Sequence, residues 1–378
     1  MTKLVLLAAG GTGGHLFPAE ALAVVLTARG FAVDLATDAR AARYAGHFPA
    51  RELHVLPADT VRGRSPMALA RTAWALASGL ISGLSLMRRV KPAVAVGFGG
   101  YPTVPPLLAA SFSGVPTIVH ESNGVMGRAN RMLAGRVSAI ATGFPGLLGK
   151  DEALSVKEVW TGNPLRPAAL EAASLPYETP MLGADLRVLV FGGSQGARVM
   201  SDVVPEALAK LGPALRARLV LTQQAREEDM ARVQAAYAAL GIRAEIAPFF
   251  DDLPARMGQA QLVISRSGAG TVAELSAIGR PSILVPLPGA LDQDQAANAR
   301  ALGAAGGALV LPQSEFTPDR LAAEISHLAE APQHLAQMAA NARSAGVLDA
   351  AERLADLVMH LADGLPLKDF QNLQGPRT

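Results

Sequence analysis

The sequence predicts an α/β protein made of two doubly wound domains, and three observations carry that reading. The same opening occurs twice: KLVLLAAGGTGGH (3–15) and LRVLVFGGSQGAR (186–198) each run an apolar strand into a glycine-rich turn. Short apolar runs then recur behind each opening at α/β spacing, as parallel sheets covered by helices on both faces require. Finally, 378 residues exceed the roughly 250–300 that one hydrophobic core sustains, so two domains are expected.

The elements follow in order. Behind the first glycine turn, FPAEALAVVLTARG has helical spacing and stops at a C-capping glycine, Gly30. FAVDLAT, AVAVGFGG, PTIVHES and AIATGF supply further strands of the first half. Between them, MALARTAWALASGLISGLSLM (67–87) nearly reaches the ~20 residues of a membrane span, but Arg71 and several Ser and Gly interrupt it. A buried or interfacial helix is the expectation. A Pro- and Gly-rich stretch, 161–186, marks the domain boundary. In the second half VMSDVVPEALAKLG reads as a helix, and RLVLTQ, AEIAPF, LVISRSG and SILVPLP as strands. AAERLADLVMHLADG (350–364) has the apolar spacing of an amphipathic helix, and LPLKDFQNLQGPRT behind it reads as frayed.

Composition narrows the function classes. Cysteine is absent, which excludes disulfide staples and thiolate metal sites. A net charge of +2 gives no reason to invoke a nucleic-acid partner. Only six of the 34 basic residues are lysine, and arginine suits bidentate contacts to phosphate or carboxylate. MTKLVLLAAGG is too soon broken by glycine to serve as a signal peptide.

Three glycine turns, GGTGGH (10–15), GFGGYPT (97–103) and GGSQGA (192–197), fall at expected strand C-terminal ends, where open α/β sheets bind ligands. The dinucleotide fingerprint would need glycine at position 16, where Leu16 stands, and no Gly-Lys-Ser/Thr completes a P-loop. A nicotinamide-dependent oxidoreductase is thereby disfavoured. In SRSGAGTVAEL (265–275), Thr271 is placed to cap a helix and Glu274 to lie in its first turn. Glu274 there either complements the helix dipole or accepts a pair of vicinal sugar hydroxyls. Asp292 and Asp294 in DQDQAANA form a D-x-D, read as a helix N-terminal cap before a metal site. HESNGVMGRANR (120–131) places His120, Glu121 and Asn123 directly behind an apolar strand run.

Taken in order, GGTGGHLFPA, GFGGYPTVP, HESNGVMGRANR, TGNPLRP, FGGSQGAR, SRSGAGTVAEL and DQDQAANA closely resemble the MurG family. These are the N-acetylglucosaminyltransferases of peptidoglycan synthesis that convert lipid I to lipid II. The resemblance runs from about residue 3 to about residue 360. It implies the GT-B architecture, two Rossmann-like domains facing across a cleft. Residues 1–163 would form the acceptor and membrane-association domain, 164–344 the UDP-GlcNAc-binding domain, and a C-terminal helix, about 345–362, would pack back on the first. It implies an inverting hexosyltransferase acting on cell-wall precursors, and hence a part in cell shape and division.

By motif, Arg166 and Ser194 would contact the uridine diphosphate, with Phe250 beside the uracil. Ala269, Gly270 and Thr271 would meet phosphate, Glu274 the ribose hydroxyls and Gln295 the sugar hydroxyls. Thr12, Gly13, Gly14 and Asn123 would line the acceptor side, and Tyr101 would position the acceptor or cap its glycine turn. This chain departs from the family at Phe250 (commonly aliphatic), Ser122 (commonly Gln) and Gly270 (often bulkier). Transfer with inversion needs a base for the acceptor hydroxyl and stabilisation of the departing diphosphate. His15, at a helix start that favours its neutral form, is the first choice of base, and His120 with Glu121 the second. No metal and no cofactor is expected, since helix N-termini and an arginine can stabilise the leaving group.

Expected partners are UDP-N-acetylglucosamine, lipid I and an anionic membrane surface, with other cell-wall synthesis proteins and without nucleic acid. The expected location is peripheral, on the cytoplasmic face of the inner membrane. Trp74, Leu76, Leu80, Ile81, Leu84 and Met87, flanked by Arg62, Arg64, Arg71, Arg88, Arg89 and Lys91, would make the membrane patch. The alternatives are another GT-B UDP-sugar transferase, a UDP-sugar 2-epimerase, or a non-catalytic nucleotide-sugar binding module.

Overall fold

A computed structural model describes residues 2–10, 13–40, 42, 48–58, 66–193, 196–289 and 294–373, without the side chains of 66–73. Thr12, Ser194, Arg62, Arg64 and Asp292 therefore lie outside the described residues, as does the side chain of Arg71. The chain divides into two compact units, one of residues 1–166 with 349–378 and the other of 167–348.

The first unit holds seven parallel strands: β1 (Leu4–Ala8), β2 (Ala32–Thr37), β3 (Glu52–Val55), β4 (Val94–Gly97), β5 (Thr117–Glu121), β6 (Ala139–Thr142) and β7 (Glu158–Trp160). Their order across the sheet is β3-β2-β1-β4-β5-β6-β7, so direction of winding reverses between β1 and β4. Helices cover both faces, and strand residues are accordingly apolar on both sides. Val5 and Leu7 join Leu22, Leu26 and Leu354 in one core, while Leu6 and Ala8 join Leu107 and Leu133 in the other.

The second unit repeats the plan with β8 (Leu186–Phe191), β9 (Leu219–Gln224), β10 (Arg243–Ala247), β11 (Leu262–Ser265), β12 (Ser282–Leu284) and β13 (Ala308–Val310). All pairs are parallel, in the order β10-β9-β8-β11-β12-β13, and the reversal falls between β8 and β11. The fold is thus two Rossmann-like α/β units. Strands β3, β7 and β13, only three or four residues long, have no counterpart among the expected strands.

Two expectations about the first unit are corrected. The segment behind residue 364 is not frayed: Leu367–Leu373 is helical, and Phe370 is buried with its ring edge-on to His360. The apolar spacing of a single aromatic in a polar stretch hides this, because the burial is supplied by the helix Ala350–Ala362, which itself packs on the helix Gly13–Ala28. The long helix, Pro66–Val90, also divides its apolar residues differently. Met87 is buried with Leu86 against the core and cannot belong to a surface patch, whereas Trp74 and Ile81 are 75% and 70% exposed. Gly79 and Gly83, which interrupt the apolar run in the sequence, are points of close approach. A Cβ at Gly79 would come within 2.2 Å of the Pro57 carbonyl, and one at Gly83 within 2.8 Å of Ala109. Among the described residues no helix is long and apolar enough to cross a membrane.

Candidate active site

In the first unit the polar residues gather at the carboxyl ends of β1, β4 and β5, beside the point where the winding reverses. His15 stands in the first turn of the helix after β1. Its ring lies against the glycine turn after β4, where Gly99 and Gly100 take φ of +90° and +77°. A Cβ on Gly99 would sit 3.2 Å from His15 Cε1, so these glycines serve both the left-handed turn and the approach of the imidazole. Burial holds the His15 pKa below its ordinary value, while the Glu121 carboxylate and the Phe98 main chain favour the protonated form less strongly. The imidazole is therefore neutral at physiological pH. The glycine turn is tied by Thr103, whose hydroxyl donates to the Gly100 carbonyl at 2.8 Å; Tyr101 opens the same short helical turn, partly exposed, and is not its cap.

His120 and Glu121 do not form a pair. They are neighbours on a strand, so their side chains leave it on opposite faces. His120 Nε2 donates to the Gly162 carbonyl at 3.0 Å, and the Ser122 hydroxyl donates to Nδ1 at 3.3 Å. Both ring nitrogens are thus satisfied inside the protein, and the ring packs on Phe98. Burial lowers its pKa to about 4. Glu121, also buried, organises the loop behind β5: one carboxylate oxygen accepts from the backbone and side-chain amides of Asn123 (3.0 and 3.1 Å), the other from Gly127 N and Asn130 Nδ2 (2.9 and 2.8 Å). Asn123 is left partly exposed at the loop's rim. Asn130, which no motif reading singled out, also donates to the His120 carbonyl at 3.1 Å.

The protonation of His120 gives a stability prediction. Its folded pKa is depressed, so the unfolded chain takes up the proton first. Stability is full above about pH 6.5 and is lost as pH falls toward 4, by about 2 kcal/mol at pH 5 for this group. Both tryptophans, Trp74 and Trp160, lie in the first unit and report its unfolding. In urea titrations followed by tryptophan fluorescence, His120→Gln is expected to lose about 2 kcal/mol less than the parent between pH 7.5 and pH 5. Equal losses would show that the histidine takes its proton normally.

In the second unit the corresponding edge carries a different chemistry. Gly192 N donates to Gln224 Oε1 at 3.0 Å, which anchors the start of the glycine turn after β8. After β11 the turn takes three residues, 266–268, so the helix Ala269–Ile278 begins earlier than a cap at Thr271 would have it. Gly268, not Thr271, is its N-cap, and no side chain caps it. The first amides of this helix therefore point outward at Ala269, Gly270 and Thr271, with open space around the Gly270 Cα. Glu274 falls in the second turn, too far along to complement the helix end, and it is buried. The dipole reading of Glu274 is thereby corrected.

The remaining residues brace this edge. Arg266, missed in the sequence reading, is buried and directs its guanidinium to the carbonyls of Val285 and Pro286 (3.0 and 3.1 Å) and to Gln313 Oε1 (2.5 Å). Ser267 donates its hydroxyl to the Gln295 carbonyl at 2.8 Å, and Asn298 Nδ2 reaches the Ser267 carbonyl at 3.2 Å. Gln295 Oε1 receives Leu287 N at 3.1 Å. Asp294 opens the helix Asp294–Ala304 as an acidic residue of its first turn and accepts from Gln295 N at 2.9 Å. Phe250 is buried beneath the Arg256 guanidinium, 4.3 Å from its ring centroid, so an apolar wall stands at that position. Among the described residues one cluster, Asp34, Glu52 and His54, has metal-ligand types within reach of one another. Arg51 already grips the Asp34 carboxylate with two contacts (2.9 and 2.8 Å) and His54 donates to it at 2.8 Å, so it is an ion-pair network away from the site.

Two Rossmann-like units, each with polar residues and glycine turns at its strand ends, are an architecture that glycosyltransferases use, and this chain is a glycosyltransferase. The model of the glycosyltransferase family 28 N-terminal domain matches residues 5–142 and that of the C-terminal domain matches residues 187–354. The chain belongs to glycosyltransferase family 28, and within it to the MurG family that its motifs indicate. It is 65% identical to a Rhodopseudomonas palustris protein over 95% of this chain and 98% of that one, and 63% identical to one from Nitrobacter hamburgensis over 96% and 98%. Both are named UDP-N-acetylglucosamine–N-acetylmuramyl-(pentapeptide) pyrophosphoryl-undecaprenol N-acetylglucosamine transferase. The crystal structure of Acinetobacter baumannii MurG superposes with a TM-score of 0.77 at 28% identity, covering 95% of this chain and 99% of the other.

Proposed function

We propose that the chain transfers N-acetylglucosamine from UDP-GlcNAc to the C4 hydroxyl of the muramyl unit of lipid I, with inversion at the anomeric carbon, to give lipid II. The observation that carries this reading is the division of chemistry between the two strand edges. His15 supplies a neutral imidazole poised to take the acceptor proton as the hydroxyl attacks. The open amides at Ala269, Gly270 and Thr271 meet the diphosphate as it leaves, and Arg166 adds positive charge. Glu274 accepts the ribose hydroxyls, Gln295 contacts the sugar, and Phe250 walls the base. Thr12 and Ser194 keep the roles the motifs imply. Gly13, Gly14, Tyr101 and Asn123 contact the acceptor. His120 and Glu121 act by holding the acceptor loops rather than by moving protons, since their polar atoms are engaged within the protein.

The test is transfer of labelled N-acetylglucosamine from UDP-GlcNAc to a lipid I analogue. Product containing the added sugar is expected only with both substrates. Epimerised sugar or released UDP from donor alone would overturn the assignment.

The acceptor's lipid implies a peripheral station at the inner membrane's cytoplasmic face. Trp74 and Ile81, seven residues apart on one helix face, and Leu53 and Val55 on the edge strand β3 are exposed, with Arg88, Arg89 and Lys91 near the helix end. Trp74→Ser with Ile81→Ser is expected to lower co-sedimentation with anionic vesicles by about 10-fold, from the area of apolar surface withdrawn. Unchanged binding would remove this face from the membrane contact.

A further inference from the structure

Three neighbouring strands of the second unit, in the order β10-β9-β8, end side by side on the edge that carries its glycine turns. The last backbone rung between β9 and β10 runs from Ala225 N to the Ala247 carbonyl at 3.0 Å. Beyond it a side chain takes over. Gln224 is buried, and its amide reaches both neighbours. Oε1 accepts from Gly192 N at 3.0 Å, where the glycine turn after β8 starts, and Nε2 donates to the Pro248 carbonyl at 3.1 Å, where the loop after β10 starts. A main-chain N–H only donates and a carbonyl only accepts, so the two partners dictate the orientation of the amide. It acts as a peptide unit would, carrying the sheet's hydrogen bonding one step past its end on both sides. The glycine turn has a second tie from the same segment. Gly193 and Gly196 take φ of +89° and +66°, Gly196 N closes the turn onto the Gly193 carbonyl at 3.0 Å, and Arg226 Nη2 donates to the Gly196 carbonyl at 3.4 Å.

We propose that Gln224 is a positioning residue for donor binding, fixing the separation between the glycine turn after β8 and the base wall after β10. The inference rests on the proposed donor site: Ser194 stands in the chain between Gly193 and Gly196, and Phe250 follows Pro248 by two residues. A nucleoside diphosphate carries its base and its phosphates a fixed number of bonds apart. The two loops therefore bind it best when they already stand at the matching separation. One amide tied to both loops sets that separation. Length matters as much as chemistry: asparagine is one methylene shorter and would have to draw the loops toward β9, while glutamate has no donor for the Pro248 carbonyl.

The experiment compares Gln224→Met and Gln224→Glu with the parent, on the full chain, by calorimetric affinity for UDP and for uridine and by the KM for UDP-GlcNAc. Gln224→Met keeps the length of the side chain and loses both hydrogen bonds; Gln224→Glu keeps the acceptor for Gly192 N and loses the donor. Both are expected to weaken UDP binding and raise that KM by about 5–20-fold, with kcat within about 3-fold of the parent. Uridine, which has no diphosphate to meet the glycine turn, is expected to lose less than about 3-fold in either variant. All are compared at a temperature where melting curves show each to be folded. Parental UDP affinity in either variant, or uridine weakened as much as UDP, would overturn the proposal. Parental UDP affinity in both Ser194→Ala and Phe250→Ala would instead overturn the placing of the donor at this edge, a separate failure.

Discussion

Replacing His15 by alanine is expected to lower kcat by about 10²–10⁴-fold, the usual contribution of a positioned general base. The KM for UDP-GlcNAc should stay within a few-fold of the parent, because no donor contact is assigned to the ring. The effect should be large because burial favours the neutral imidazole and the glycine turn after β4 fixes its place. The same burial sets the pH profile. With the His15 pKa below 6.5, the base remains unprotonated as pH falls through 6.5, and the acidic limb of kcat should lie below that value. Steady-state kinetics of parent and His15→Ala from pH 5 to pH 9 check both points. A variant with parental turnover, or an acidic limb above pH 7 in the parent, would reject His15 as the base.

The second large effect is expected at Glu274. Loss of a charged group that accepts two hydroxyls costs about 1.5–3 kcal/mol. Glu274→Ala should therefore raise the Kd for UDP by roughly 10–150-fold. Glu274→Gln, which keeps the shape, separates charge from packing, since Glu274 is buried and an alanine leaves a space behind. Calorimetric titration with UDP and with uracil is the measurement. Uracil, lacking ribose, should bind parent and variants alike; a matching loss for uracil would mean that Glu274 acts by packing rather than on the ribose.

How far these sites could be read in advance depended on the physical scale of each signal. Strands buried on both faces are continuous apolar runs, and LVLLA, TIVHE and LVIS were recognisable as such. β3, β7 and β13 were not, because ELHV, EVW and ALV are too short to show a period. Glycine turns could be located but their use could not. Gly99 needs both a positive φ and space for the His15 ring, and the second requirement comes from a residue more than eighty positions away. The helix behind β11 shows the limit at close range. A turn shorter than a Thr271 cap implies, three residues long, moved the cap to Gly268 and Glu274 into the second turn.

By itself the sequence determined the α/β class, the two-fold repetition of a strand and glycine turn, and, through its ordered motifs, the family and the chemistry of sugar transfer. Local patterns of apolarity and glycine are written along the chain, so reading them requires no third dimension. Only the tertiary structure decided which polar residues are free to act and which are occupied. His120 and Glu121 look catalytic in the string HESNGVMGRANR, yet the carbonyl of Gly162 and the amides of Gly127 and Asn130 claim them. It likewise set Gln224 between Gly192 and Pro248 and buried Met87 while exposing Ile81. These outcomes depend on contacts between distant segments, and the partner that fills a hydrogen bond or covers a methyl group is set by how the elements pack.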